Sequence, residues 1–204
     1  MLYAACKVEV ETRMRVFVCS KEYKQHIWDI SKWLTSNEST FSLFLSGNKG
    51  NGKTTLVKAL HSLYSYLHSD EFYSSGGDRH ELPHKGFKII DAKGLVVLAK
   101  AYNNPTKENA ATVAEYKRIR DIEILCIDDL GAEPRESLHY GDIVMAITDI
   151  IHYRYSQQYC TIATSNLSAD EIAEYYDERF ADRLREMARV INFGNEPSFR
   201  INKA

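Results

Sequence analysis

The run Gly47-Asn48-Lys49-Gly50-Asn51-Gly52-Lys53-Thr54 sets glycines, a lysine and a hydroxyl at the spacing of a phosphate loop. The glycines let the backbone turn its N–H groups inward around phosphate oxygens, with Asn48, Lys49 and Asn51 as the intervening main-chain positions. Lys53 supplies a point charge for the β and γ oxygens. Thr54 offers a hydroxyl to Mg²⁺, and Thr55 adjoins the same phosphates. The ligand implied is a nucleoside triphosphate with its magnesium ion.

Three further groups could complete such a site. Ile124-Leu125-Cys126-Ile127-Asp128-Asp129 has the form of a buried strand carrying one carboxylate to the magnesium and a second acid to an attacking water. Asp128 is the metal candidate and Asp129 the candidate that polarises water, with Glu133 just downstream as a second candidate for that task. Taken alone, the same run is a strand ending in a solvated acidic turn. Thr164-Ser165-Asn166 ends another apolar run with an amide able to bond the water or the γ-phosphate, although such a residue also starts turns. In Glu178 to Leu184, Arg179 and Arg183 lie four apart on one helical face. A planar guanidinium spreads charge over phosphoryl oxygens, and the competing reading is a set of ion pairs with Glu178, Asp182 and Glu186.

These residues need elements to hold them. The apolar run Phe41 to Leu45 predicts a strand ahead of the loop, and Leu56, Val57, Leu60, Leu63, Tyr64 and Leu67 predict an amphipathic helix behind it, so the phosphates sit at a helix N-terminus. The β-branched stretch Val8 to Val18 predicts a strand-like piece, followed by a helix around Tyr23 to Leu34. Ser69 to Lys85, polar and glycine-containing, reads as a loop. Strands are expected at Phe87 to Ile90, Ile122 to Ile127, Tyr159 to Thr164 and Arg189 to Phe193. Helices are expected at Ala92 to Tyr102, Ala110 to Arg120, Tyr140 to Tyr155 and Asp177 to Met187. A capping box at Ser168 to Glu171 opens another short helix. Strands alternating with helices imply an α/β domain with a parallel central sheet covered on both faces, whose ligand binds at the carboxyl ends of the strands.

The 204 residues suffice for one such domain with a core, and the net charge of −2 leaves any DNA contact to a local basic patch. The expected division is a short extension, residues 1–36, packing on an ATPase domain, residues 37–204. Cys6, Cys19, Cys126 and Cys160 form no CxxC pair and read as reduced thiols, so a cytoplasmic location is expected. No run reaches membrane-span length. His80-Glu81-Leu82-Pro83-His84 spells HExxH, but Pro83 forbids the helical face that would bring both histidines to a metal.

Taken in order, the phosphate loop, Asp128 to Glu133 (DDLGAE), Ile162 to Ser168 (IATSNLS), Glu178 to Leu184 (ERFADRL) and Pro197 to Arg200 (PSFR) resemble the motifs of the DnaC/DnaI/IstB branch of AAA+ ATPases, over residues 40–200. The resemblance implies a P-loop NTPase fold of AAA+ type, with ATP and Mg²⁺ as ligands. It also implies that Asn166 is sensor 1, that Arg183 is an arginine finger acting in trans on a neighbouring copy, and that Arg200 is sensor 2, acting in cis. Asp129 stands where this class usually carries the longer glutamate, so slow hydrolysis is expected. The family touches DNA through the helices after the second strand, where Lys93, Lys100, Lys107, Lys117, Arg118 and Arg120 would supply sequence-independent phosphate contacts. The competing reading is a solvated face balanced by Glu108 and Glu115. The implied partners are DNA, further copies of the chain, and a replicative helicase or a transposase. The family's helicase loaders carry an additional N-terminal module, and the segment before the phosphate loop is short for one, so the resemblance speaks for the motor more than for a client.

Three functions remain open on the sequence. The first is a DNA-acting AAA+ ATPase, helicase-loader-like or transposition-helper-like. A P-loop small-molecule kinase is the second, although it would need arginines on a mobile lid rather than clustered near the carboxyl end. The third is a nucleotide-switched binding protein with little turnover, a reading that Asp129 keeps open.

Overall fold

The computed structural model describes residues 1–37, 40–67, 87–133, 140–194, 198 and 199, with backbone alone at 140–145 and 169. The expected loop Ser69 to Lys85, the HExxH run and Arg200 lie outside the described residues.

Eight helices and five strands are described: α1 (Leu2–Glu11), α2 (Lys21–Thr35), β1 (Ser42–Ser46), α3 (Lys53–Leu67), β2 (Lys88–Asp91), α4 (Ala92–Asn103), α5 (Ala110–Asp121), β3 (Ile124–Leu130), α6 (Tyr140–Ser156), β4 (Cys160–Ser165), α7 (Ala169–Tyr175), α8 (Glu178–Met187) and β5 (Ala188–Asn192). The helix starts follow local chemistry. Ser20, Asp91 and Asp177 cap α2, α4 and α8 by accepting backbone N–H bonds, and Ser168 with Glu171 forms the full capping box of α7.

The strands form one five-stranded sheet in the order β2-β3-β4-β1-β5, with every neighbouring pair parallel. All five residues of β1 are buried, as befits a strand covered on both faces. Alternation along the strands divides the core in two. Leu43, Leu45, Cys126 and Ile162 pack with residues of α1, α2 and α3, whereas Phe44, Leu125, Ile127 and Ala163 pack with residues of α4 to α8. Each fully buried leucine or isoleucine contributes roughly 1.5–3 kcal/mol.

Two expectations are corrected. Val8 to Val18 is not a strand: its first part lies in α1, and no strand occurs between α1 and α2. Leu2 and Cys6, four residues apart on α1, are buried in the core shared with α3 while Val8 stays exposed, so packing overrides the β-branched propensity. Strand β3 does not end at Ile127 but runs to Leu130, its register with β4 shifting between Ile127 and Leu130, and Asp129 takes a left-handed φ of 58°.

Arg154 on α6 is completely buried. Its Nε donates to Thr161 Oγ1, and its two terminal nitrogens donate to the carbonyls of Arg120, Ile122, Glu123 and Cys160. Burial pulls this guanidinium down to about 10, so it is still a cation at neutral pH. A fork of five donors thereby fastens the end of α5 and the approach to β3 against the start of β4.

Candidate functional site

Strand β1 hands the chain directly to the phosphate loop, and α3 begins at Lys53. Gly50 and Gly52 take φ of 90° and 88°, a region that side chains rarely adopt. A Cβ added at Gly50 would collide with Ser198 Oγ, and one at Gly52 would come within 2.7 Å of the Tyr23 ring.

Lys53 is 6% exposed, unusual for a lysine. Its Nζ donates to Gly47 O at 2.6 Å, Asn48 O at 2.8 Å and Asn166 Oδ1 at 3.2 Å. These acceptors are neutral oxygens, so a buried ammonium is held facing the turn of the loop. Thr54 Oγ1 donates to the Asp128 carboxylate at 3.1 and 3.2 Å, and Thr164 Oγ1 donates to Asp128 Oδ1 at 2.6 Å. Thr164 Oγ1 in turn accepts the Asp129 N–H at 2.9 Å. Asn166 Nδ2 donates to Asp129 Oδ1 at 3.4 Å, so one amide spans Lys53 and Asp129.

The sheet explains the convergence. Parallel neighbours β1, β4 and β3 end side by side, and the loop after β1, Asn166 after β4, and Asp128 and Asp129 near the end of β3 meet there. Thr164 was missed by motif reading. Its place next to last in a strand that also carries Thr161 and Ser165 gave little signal, and its 0% exposure shows that its hydroxyl needed a partner. Tyr23, which lies against the loop, was also missed as part of the site, whereas Ser198 and Phe199, which lie there too, fall within the Pro197 to Arg200 motif.

The residues present suit a magnesium triphosphate. Glycines held at positive φ and a buried ammonium match phosphate oxygens, while a hydroxyl beside a carboxylate matches a hydrated hard cation. Thr55 follows in the first turn of α3 and is half-buried. Asn51 is buried, with Nδ2 3.3 Å from Phe193 O. Asn48 and Lys49 are exposed at the rim of the loop.

Glu133, the second candidate acid, is engaged away from Asp129. It is 3% exposed, and its carboxylate accepts from Gly131 N at 3.0 Å and from the Tyr176 hydroxyl, while Tyr175 donates to its carbonyl at 3.1 Å. Burial first, then the Glu133 charge, pushes the Tyr176 phenol well above its ordinary value, so it stays a donor. The carboxylate faces the corner between α7 and α8.

On α8, the Arg183 guanidinium lies 5.3 Å from the centre of the Tyr155 ring, and Tyr155 donates to Glu186 at 2.6 Å. Tyr155 is near the end of α6, which leads back to the start of β4, so Arg183 faces away from the loop of its own chain. Arg179 is exposed. Burial, Arg183 and Arg179 together hold the nearby His152 imidazole below its usual value. Arg200 is outside the described residues, but Phe199 N, one residue before it, donates to Gly50 O at 3.1 Å.

Among the basic candidates, Lys93 and Lys100 on α4, Lys107, and Lys117 on α5 are exposed. Arg118 is committed to Glu115 through two bonds of 2.8 and 2.9 Å, and it holds that carboxyl at about 2. A depressed acid keeps its pair above the ordinary carboxylate range and loses it only as pH falls toward the lowered value, so the pair persists at neutral pH. Arg120 pairs with Asp121 and lies 4.4 Å from the centre of the Tyr153 ring. Among the described residues, no cluster of three His, Cys, Asp or Glu groups could hold a metal, and no helix is long and apolar enough to cross a membrane. All four cysteines are free.

No family model matches the sequence, and no curated protein does. Solved structures do. The DnaC helicase loader is similar at 20% identity with a TM-score of 0.61, over 85% of this chain and 90% of that one. DnaI is similar at 20% identity and a TM-score of 0.59, over 94% of each chain. The replication initiator DnaA bound to AMPPCP and single-stranded DNA is similar at 16% identity and a TM-score of 0.55, over 90% of this chain and 50% of that one. The fold is therefore that of the AAA+ P-loop ATPases in its DnaC/DnaI-like form.

Proposed function

We propose that this chain is an ATP-binding and ATP-hydrolysing AAA+ protein that associates with DNA and with further copies of itself, as a DnaC-like helicase loader or an IstB-like transposition helper does. The observation that carries this reading is the meeting of Lys53, Thr54, Asp128, Asp129 and Asn166 at three adjacent strand ends. Lys53 and the loop N–H groups hold the β and γ phosphates. Thr54 and Asp128 hold the magnesium ion, which supplies charge neutralisation at the phosphates when bound. Asp129 orients the attacking water, with Asn166 donating to that carboxylate while its own amide oxygen accepts from Lys53.

Arg183, turned away from its own loop, is the candidate to act on a neighbouring copy, and Arg200 is the candidate to reach the γ-phosphate in cis. The likeness to a DnaA structure holding AMPPCP and single-stranded DNA supports nucleotide as the ligand and DNA as a partner. The exposed Lys93, Lys100, Lys107 and Lys117 are the available phosphate contacts, ahead of the paired Arg118 and Arg120. A replicative helicase or a transposase is the candidate client, and the cytoplasm the candidate location. A small-molecule kinase is disfavoured by the position of Arg183 against α6.

The test is ATP hydrolysis with and without single- or double-stranded DNA at several salt concentrations. DNA should raise the rate or the assembly state in the presence of ATP, with the effect fading as salt rises. Turnover or assembly indifferent to both DNA forms at every salt concentration overturns the DNA part of the reading.

A further inference from the structure

The back of the phosphate loop is gripped by both ends of the chain, and one side chain is common to both grips. Tyr23 sits in the first turn of α2, where Ser20 Oγ accepts its backbone N–H at 3.0 Å. Its ring is 2% exposed and meets Phe193 and Phe199 edge-on, with centroids 6.3 and 5.5 Å apart. The hydroxyl donates to Gly52 O at 3.3 Å, the same carbonyl that accepts Leu56 N as the first hydrogen bond of α3. The ring also fills the space that a side chain at Gly52 would need. From the other end of the chain, Phe199 N bonds Gly50 O, and Phe193 N bonds Ser46 O at 2.8 Å.

A glycine-rich turn has more conformational freedom to lose than other sequence, and a ligand that must order it binds more weakly for that reason. An outer wedge that holds the turn beforehand removes part of that cost. Tyr23 is far from Lys53 in sequence and belongs to none of the motifs.

We propose that Tyr23 is a positioning residue for the phosphate loop, so that the N-terminal helices form part of the nucleotide site through its hydroxyl at Gly52 and its ring against Phe193 and Phe199. This rests on the reading of the loop as a nucleotide site. No contact between Tyr23 and the phosphates is required.

The experiment is equilibrium binding of Mg·ATP and Mg·ADP to the full chain and to three variants, each with its thermal melt. Tyr23→Phe keeps the ring and removes the hydroxyl's bond to Gly52 O together with its link to the Cys6 thiol, so it should bind both nucleotides about three- to tenfold more weakly. Tyr23→Leu should bind more weakly still. Ile30→Val, at a fully buried position farther along the same helix, should lower the melting temperature without changing affinity. Affinity that instead falls in Ile30→Val as it does in Tyr23→Phe makes the effect one of general stability and overturns the proposal. Wild-type binding together with unchanged affinity in Tyr23→Phe and Tyr23→Leu overturns this inference alone. Absence of binding to the wild-type chain removes the nucleotide reading and this inference with it.

Discussion

At the residue scale the account depends on side chains whose burial contradicts their type. Lys53 was legible because glycine spacing and a neighbouring threonine give a lysine there one reading. Its bond to Asn166 was not legible, since it joins positions 113 residues apart. Arg154 was invisible for a different reason. Nothing in Tyr153-Arg154-Tyr155 separates a surface arginine from a buried one, and only the fold reveals five acceptors around it. Arg154→Leu should lower unfolding free energy by about 2–4 kcal/mol, because removing the fork strands buried carbonyls. Arg154→Lys should recover little, as an ammonium cannot reproduce a planar five-donor pattern. Urea denaturation with an unchanged m-value checks both. Loss under about 1 kcal/mol in Arg154→Leu would show that water satisfies those carbonyls instead.

At the element scale, caps and strand runs were readable and the N-terminal segment was not. The capping box at Ser168 is a local device, so local sequence is enough to find it. Helix α1 was misread because Leu2 and Cys6 acquire their role only when α3 is present to cover them. Glu133 shows the same limit at the site, since an acid four residues beyond Asp129 looks catalytic until Tyr176 and Gly131 are found holding it. That buried carboxylate ties the turn after β3 to the α7–α8 corner, and through it the strand carrying Asp129 to the helix carrying Arg183. Tyr176→Phe removes the hydroxyl and leaves a carboxylate short of a donor, at a cost of about 1–3 kcal/mol. It should slow hydrolysis more than it weakens nucleotide binding, because the loop itself is untouched. Equal kcat in variant and wild type, with folding intact, would show that the link does not position Asp129.

At the scale of the whole molecule, the alternation of strands and helices foretold a parallel sheet, and the sheet order explains why distant motifs meet. It could not foretell which way Arg183 faces. With that guanidinium over Tyr155, the account expects a site completed between copies. An Arg183→Ala chain mixed with a Lys53→Ala chain should regain part of the ATPase activity that each lacks, since one retains the loop and the other the arginine. A mixture that assembles yet stays inactive would place the missing charge in cis, on Arg200 or elsewhere.

The claim beneath all of these is that the turn from Gly47 to Thr54 holds a triphosphate through Lys53. Calorimetric titration of Mg·ATP into the wild-type chain and into Lys53→Ala addresses it most directly. The account predicts saturable binding to the wild type and a loss of about tenfold to a hundredfold in affinity on removing the charged donor, with the fold preserved by circular dichroism. Equal affinity in the two proteins, or a wild-type chain that binds no nucleotide, would contradict it.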